Sequence, residues 1–248
     1  MTIRRVVGRN NGARSGMRPA LAAMLGVALW VVISVGLLGT IAPAAAQDRR
    51  QNEPGKFDYY VFVLSWSPSF CADSAERNAG RTARDPQCGP RPFSFVVHGL
   101  WPQYERGFPE FCQVPAPRLA RNTMSAMLDL MPAPGLIYHE WDRHGTCSGV
   151  PANAYFETIR KARAVVKIPP QFLDLAAPLT VTPKEVEDAF VAANPGLPPE
   201  GIAVSCGSRR LNDVLICMTR DLQFRDCQQV VQRSCRRDRL VMPPVRGG

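Results

Sequence analysis

The sequence predicts an α+β fold: a mostly antiparallel central sheet packed by several helices and stapled by disulfides. Three features carry the prediction. Short runs rich in β-branched and aromatic residues are separated by stretches of helical periodicity, so strands and helices are interspersed along the chain. Two runs near the end, Gly201 to Ser205 and Leu211 to Thr219, are linked through Gly207-Ser208-Arg209-Arg210 and pair antiparallel. All eight cysteines lie beyond residue 70, behind a leader built for export, and an even number there reads as a disulfide framework.

The leader comes first. Arg4, Arg5, Arg9, Arg14 and Arg18 precede an apolar run from Leu21 to Ile41, and Ala42-Pro43-Ala44-Ala45-Ala46 follows with no acid anywhere in the segment. A basic start, an apolar middle and an Ala-x-Ala end describe a signal peptide, 1–46, cleaved after Ala46, and place the product in the periplasm or outside the cell. An uncleaved anchor is the alternative, because about 20 apolar residues can span a bilayer. The whole chain carries a formal net charge of +9, but without the leader's five arginines the count is 25 basic against 21 acidic residues, about +4. That mild excess suits a polyanionic partner without requiring one. The remaining length, about 200 residues, can bury one core, so one domain, 57–240, is expected between a flexible segment, 47–56, and a loose tail, 241–248.

Within that domain, Phe57 to Trp66 reads as a central strand buried on both faces. Ser67-Pro68-Ser69-Phe70-Cys71 ends it, and a polar loop runs on to Pro92. Phe93 to Val97 is the next strand and delivers His98 at its end. Pro117 to Met131 carries Leu119, Met127, Leu128 and Met131 at roughly helical spacing, and Asn153 to Lys167 is a second amphipathic helix with Phe156, Ile159 and Val166 inward. The cations Arg160, Lys161, Arg163 and Lys167 on it read as a solvated face more readily than as an RNA track. Thr182-Pro183-Lys184-Glu185 is a capping box with proline at the first helical position, and Val181 and Val186 can close a hydrophobic staple. Leu222 to Arg225 is a candidate short strand.

The chemistry is concentrated in two stretches, Val97-His98-Gly99-Leu100-Trp101-Pro102 and Tyr138-His139-Glu140-Trp141-Asp142-Arg143-His144-Gly145-Thr146-Cys147. Together they hold all three histidines of the chain. On a helix of about 100° per residue, His139 and Arg143 share one face and Glu140 and His144 the adjacent one. Two imidazoles, a carboxylate and a guanidinium on one helical edge set each other's pKa values and attract anions. A metallopeptidase reading fails on spacing: its two histidines stand four apart and point the same way, whereas His139 and His144 are five apart and diverge by roughly 140°. With no other metal motif in the sequence, the pattern points to acid-base catalysis by imidazoles, without a cofactor.

His98-Gly99-Leu100-Trp101-Pro102, followed about forty residues later by His139-Glu140-Trp141-Asp142-Arg143-His144-Gly145-Thr146-Cys147, resembles the two active-site segments of the ribonuclease T2 family. The resemblance runs from about Phe57 to Cys235 and implies the α+β architecture already read from the elements. It also implies His144 as general base, His98 as general acid, His139 as a phosphate-holding imidazole, and Glu140 and Arg143 as groups that stabilise the pentavalent phosphorane. The implied reaction is cleavage of single-stranded RNA through a 2′,3′-cyclic phosphate to a 3′-phosphate by a monomer with no stable membrane association once the leader is gone. The implied disulfides join Cys112 with Cys147, Cys206 with Cys235, Cys217 with Cys227, and Cys71 with Cys88.

The chain departs from the family pattern in places. Arg143 stands where lysine is usual, so a planar fork replaces a compact ammonium. Ser65 sits where many relatives place a glutamine that helps read a base, and Gln103 where some place an aspartate. Trp101 is a candidate substrate-binding residue, able to stack on a base or to fill the core, while Trp66 and Trp141 read as core. Two other classes compete: a secreted binding or toxin-like module on the same scaffold, which would lose His98 or His144, and a carbohydrate-binding domain, which would not need the histidine blocks.

Overall fold

The structure, a computed structural model, describes residues 51–77 and 85–245; the expected signal peptide lies outside the described residues. Its elements in chain order are β1 (Tyr59–Trp66), α1 (Ser67–Arg77), β2 (Phe95–Gln103), α2 (Arg121–Ser125), α3 (Pro134–Arg143), α4 (Ala152–Val165), β3 (Leu179–Val181), α5 (Pro183–Ala193), β4 (Ile202–Cys206), β5 (Leu211–Met218), α6 (Gln228–Val231) and β6 (Leu240–Met242). Four strands form the main sheet in the order β2-β1-β5-β4, every neighbour antiparallel, and β3 pairs with β6 in a separate ribbon.

As expected of a central strand, β1 is buried on both faces. Tyr60, Phe62, Leu64 and Trp66 enter the main core, while Tyr59, Val61 and Val63 meet a smaller cluster with Cys217 and Cys227 on the other side. The main core includes Ile137 and Trp141 of α3, Phe156 and Ile159 of α4, and Val186 and Phe190 of α5. The other face carries less apolar cover.

β2 differs from its expectation in a way that matters. It does not end before His98 but continues to Gln103, and His98 is the extra residue of a β-bulge: Val63 faces Gly99 while the next residue, Leu64, faces Val97. In an unbroken strand, residues three apart point to opposite faces. The bulge cancels one step of that alternation, so Val97 and Leu100 both join the main core, while the His98 and Trp101 rings meet edge-on with centroids 5.4 Å apart.

Other corrections have local causes. The stretch after Trp66 is helical, not a loop: Ser67-Pro68 is a helix start, since proline is tolerated in a first turn. α1 is then held by ion pairs from Arg210 to Asp73 and Glu76. The helix expected from Pro117 to Met131 shrinks to the five residues of α2; beyond it the chain tightens into turns, Met127 N–H donating to Met124 O and Leu130 N–H to Met127 O, each at 3.0 Å, before the Leu130 carbonyl accepts from Val97 N–H at 3.0 Å. Leu222 to Arg225 makes only an isolated bridge, Met218 to Phe224, around Leu222 at φ 61°. The tail is not loose from residue 241, because Leu240 and Met242 alternate inward as β6 and are fully buried, and Val245 N–H donates to Leu175 O at 2.8 Å. Nor is the leading segment frayed throughout: Gly55 N–H donates to Cys147 O at 2.9 Å. The Thr182 capping box forms in full, with Thr182 Oγ1 accepting from Glu185 N–H at 3.1 Å and Glu185 Oε2 accepting from Thr182 N–H at 2.7 Å.

The eight cysteines form four bridges, Cys71–Cys88, Cys112–Cys147, Cys206–Cys235 and Cys217–Cys227, the pairs the resemblance implies.

Candidate active site

Two elements bring the site together. α3 opens with Pro134 in its first turn and closes at Arg143, and His144 is its C-cap, with its N–H donating to Glu140 O at 3.1 Å. The chain then turns tightly through Gly145. A Cβ there would stand 2.4 Å from Trp141 Cε3 and 2.9 Å from Tyr155, so only glycine lets the turn lie against those rings. The strap before Cys112 fastens the same helix end: Phe111 N–H donates to Arg143 O at 2.8 Å, and Cys112 bonds Cys147.

The residues expected to share one helical edge divide by depth. Glu140 is wholly buried and His144 nearly so, whereas His139 is exposed and Arg143 half-buried. Glu140 lies over Gly99 of β2, where a Cβ would fall 1.8 Å from Oε2, so the glycine is what lets the carboxylate reach the strand. There Oε2 accepts from Trp101 Nε1 at 2.7 Å, and Oε1 stands 3.7 Å from His98 Nε2. Arg143 does not pair with Glu140. Its guanidinium bonds Glu110 Oε2 at 2.9 Å and stacks near Phe111. Trp101 packs its ring on His144, centroids 5.1 Å apart and planes 24° from parallel. It thus orients the imidazole with one face and the carboxylate with its N–H.

These surroundings drive the two inner imidazoles apart. For His144, burial is the largest influence, and Arg143, His139 and His98 add repulsion, so its pKa falls to about 3. Its Nδ1 is buried without a partner in the protein, so nothing there favours a second proton. For His98, burial again works against the charged ring, but the bond to Asp213 and the charges of Glu140 and Asp213 outweigh it, and its pKa is raised. His139 is lowered, by partial burial and then by Arg143 and His98. Burial raises Glu140 to about 7 against the pull of His98, Trp101 and Arg143. At neutral pH the arrangement holds one neutral imidazole and one whose surroundings favour its proton, the division a base and an acid working together require.

The site opens on two hollows. One, about 370 Å³, is lined by His98, Trp101, Gln103, Phe108, His139 and Arg143 among others. The second, about 530 Å³, lies on the far side of His98 and is lined by Ser65, Phe70, Val96, Pro134 and Leu136 among others. His98 belongs to both. Gln103 and Ser65, the two departures at positions where relatives carry other residues beside the base, therefore face different hollows. Sequence reasoning missed Gly99, Glu110 and Asp213. Of these Asp213 left a signal, a carboxylate in a run, Leu211–Met218, that is apolar but for it and Asn212.

Comparison with known proteins gives the family. A family model described as the Ribonuclease T2 family matches residues 57–227. The chain belongs to this family. A ribonuclease of Aeromonas hydrophila is 41% identical over 122 residues, covering 48% of this chain and 51% of the relative. A probable ribonuclease of Haemophilus influenzae is 29% identical over 189 residues, covering 72% of this chain and 64% of the relative. The chain thus spans between half and two thirds of the length of these two T2-family relatives. The crystal structure of RNase NT in complex with 5′-AMP superposes with a TM-score of 0.57 at 23% identity, covering 76% of this chain and 98% of that one, which shows a shared fold.

Proposed function

We propose that this chain is an exported endoribonuclease of the T2 type, cutting single-stranded RNA by transphosphorylation to a 2′,3′-cyclic phosphate that is then hydrolysed to a 3′-phosphate. The observation that carries the reading is the opposed pair His98 and His144, one favouring its proton and the other refusing it, in one cleft. His144 takes the proton of the 2′-hydroxyl as that oxygen attacks phosphorus. His98 gives its proton to the departing 5′-oxygen, so the P–O5′ bond breaks as the new O–H bond forms. At the rim, His139 holds the phosphate as a neutral imidazole by hydrogen bonding and Arg143 supplies positive charge to the phosphorane oxygens, while Glu140 supports the cationic form of His98. In the hydrolysis the roles reverse, with His98 activating water. DNA, lacking the 2′-hydroxyl, has no internal nucleophile.

The hollows on either side of His98 suit the nucleosides flanking the scissile phosphate. Trp101 shapes the first of them, with one ring face committed to His144. Four disulfides among the described residues fit an oxidising compartment and so support export; in this reading the exported protein acts as a monomer free of the membrane. No cofactor is needed for this chemistry.

Purified protein incubated with each homopolymer RNA in excess chelator is expected to release cyclic phosphate before 3′-phosphate, and to leave single-stranded DNA intact. Loss of cleavage in chelator with recovery on adding a divalent ion would overturn the mechanism. Cleavage of neither RNA nor DNA would favour the alternative, a secreted binding module on the same scaffold.

A further inference from the structure

Behind His98, on the side away from Glu140, a row of polar side chains crosses the whole sheet. Ser65 Oγ lies 3.0 Å from His98 Nδ1. The same hydroxyl donates to Asp213 Oδ1 at 2.5 Å, and Asp213 Oδ1 is itself 3.5 Å from Nδ1. Asp213 Oδ2 accepts from Ser205 Oγ at 2.6 Å, and that hydroxyl accepts from Asp213 N–H at 3.1 Å. The row follows the register: Ser65 faces Asp213 across β1 and β5, and Asp213 faces Ser205 across β5 and β4. Four strands each contribute one member.

The direction of these bonds follows from what each group can do. An ionised carboxylate only accepts, so both serine hydroxyls spend their single proton on Asp213. Ser65 therefore has only lone pairs left for His98, and Nδ1 must be the donor. With Nδ1–H fixed in this way, a proton on Nε2 exists only in the imidazolium form, and Nε2 is the nitrogen turned toward Glu140 and the cleft.

We propose that Asp213, acting through Ser65, is the positioning residue of the general acid: it fixes the His98 ring with Nδ1 toward the sheet and holds its Nε2 proton ready for the leaving oxygen. This rests on the ribonuclease reading above. When Nε2 gives its proton to the 5′-oxygen, the ring becomes the neutral Nδ1–H tautomer and the hydrogen bonds to Ser65 and Asp213 stay unchanged, so the transfer requires no rearrangement behind it. The groups facing His98 are Asp213 from β5, the neutral hydroxyl of Ser65 from β1, Glu140, His139 and His144 from α3, and the Trp101 ring from its own strand. Asp213, whose carboxyl is held below its ordinary value, is the anion at Nδ1, and Glu140, raised to about 7, is a carboxyl that titrates near neutrality at Nε2. A serine at position 65 makes the bridge possible, because its hydroxyl is short enough to sit between the two.

The test separates positioning from mere packing. Asp213→Asn keeps the shape of the side chain, and Ser65→Ala removes the bridge together with the hydroxyl that Ser65 presents to its hollow. In each variant the pH profile of kcat on RNA is expected to lose its alkaline shoulder, the limb set by His98 deprotonation moving down by roughly one unit for Asp213→Asn and less for Ser65→Ala. At neutral pH kcat is expected to fall by about tenfold or more with KM little changed. The acidic limb should stay in place. An NMR titration, with the His98 signal assigned by comparison with His98→Ala, reads the same shift without any substrate. A normally folded Asp213→Asn protein whose His98 midpoint matches wild type would overturn the proposal, and Ser65→Ala supplies the same reading if Asp213→Asn does not fold. A shifted midpoint in a protein that cleaves no RNA would uphold the positioning role and sink the ribonuclease reading instead.

Discussion

Small features of single residues decide whether this site exists. Gly99 is one, since any Cβ would occupy the place of the Glu140 carboxylate. Gly99→Ala is expected to lower kcat by about a hundredfold or more, because shifting a catalytic group by about 1 Å costs on that order. His144 makes a second prediction, about stability. Its folded pKa of about 3 lies below the usual imidazole value of 6.5, so between those limits the unfolded chain binds the proton that the folded chain refuses. The contribution of His144 is therefore fully present above about pH 6.5 and is lost as the pH falls toward 3. Glu140, raised to about 7, acts in the opposite sense: it favours the fold at low pH and loses that advantage as the pH rises through its own range. The two partly cancel in the native protein, so the comparison must be between variants. Melting temperature measured at pH 4 and 7.5 is expected to fall less on acidification in His144→Asn than in wild type. An equal or steeper fall would show that the buried imidazole is not the group resisting protonation.

Among the elements, the bridges differ in what they hold. Cys112–Cys147 fastens the C-terminal end of α3, one step from His144, whereas Cys71–Cys88 joins α1 to the turn at Pro86–Cys88. The second is more than a closed surface loop, since Phe70, Asp85, Pro86 and Gln87 line the hollow beside His98. Each bridge contributes about 2–4 kcal/mol to stability, so melting alone would not distinguish them. Catalysis should: replacing Cys112 and Cys147 by serine is expected to reduce kcat about a hundredfold, and replacing Cys71 and Cys88 to raise KM with a smaller loss of kcat, both assayed well below their melting temperatures. Equal effects on kcat would mean that the α3 end does not depend on its strap. The elements also show what could be read in advance. α5 was legible because Thr182, Pro183 and Glu185 carry a complete local signal, and β1 because its run of aromatic and branched residues fits only a strand covered on both sides. The end of α2 was not, because the tight turns that replace the helix after Ser125, and the bond of Leu130 to Val97 beyond them, leave no mark in the helical spacing.

At the scale of the whole molecule, the central sheet divides two tasks. Its better covered face supports the main core with α3, α4 and α5, and the other face, with β2 at the sheet's edge, bears the cleft. The histidines were legible in the sequence because three of them fell in two short blocks; the support behind them was not, because Ser65, Asp213 and Ser205 are far apart in the chain and meet only through strand register. Register also has a consequence for how the activity can be lost. The bulged residue is His98 itself, so an in-frame deletion of its single codon would restore one-to-one pairing of β1 with β2 and leave Val97 and Leu100 on the core face by ordinary alternation. Most one-residue deletions in a central sheet shift every following side chain to the wrong face. Here the shortest path to an inactive descendant runs through a more regular sheet, and selection for stability alone would not oppose it.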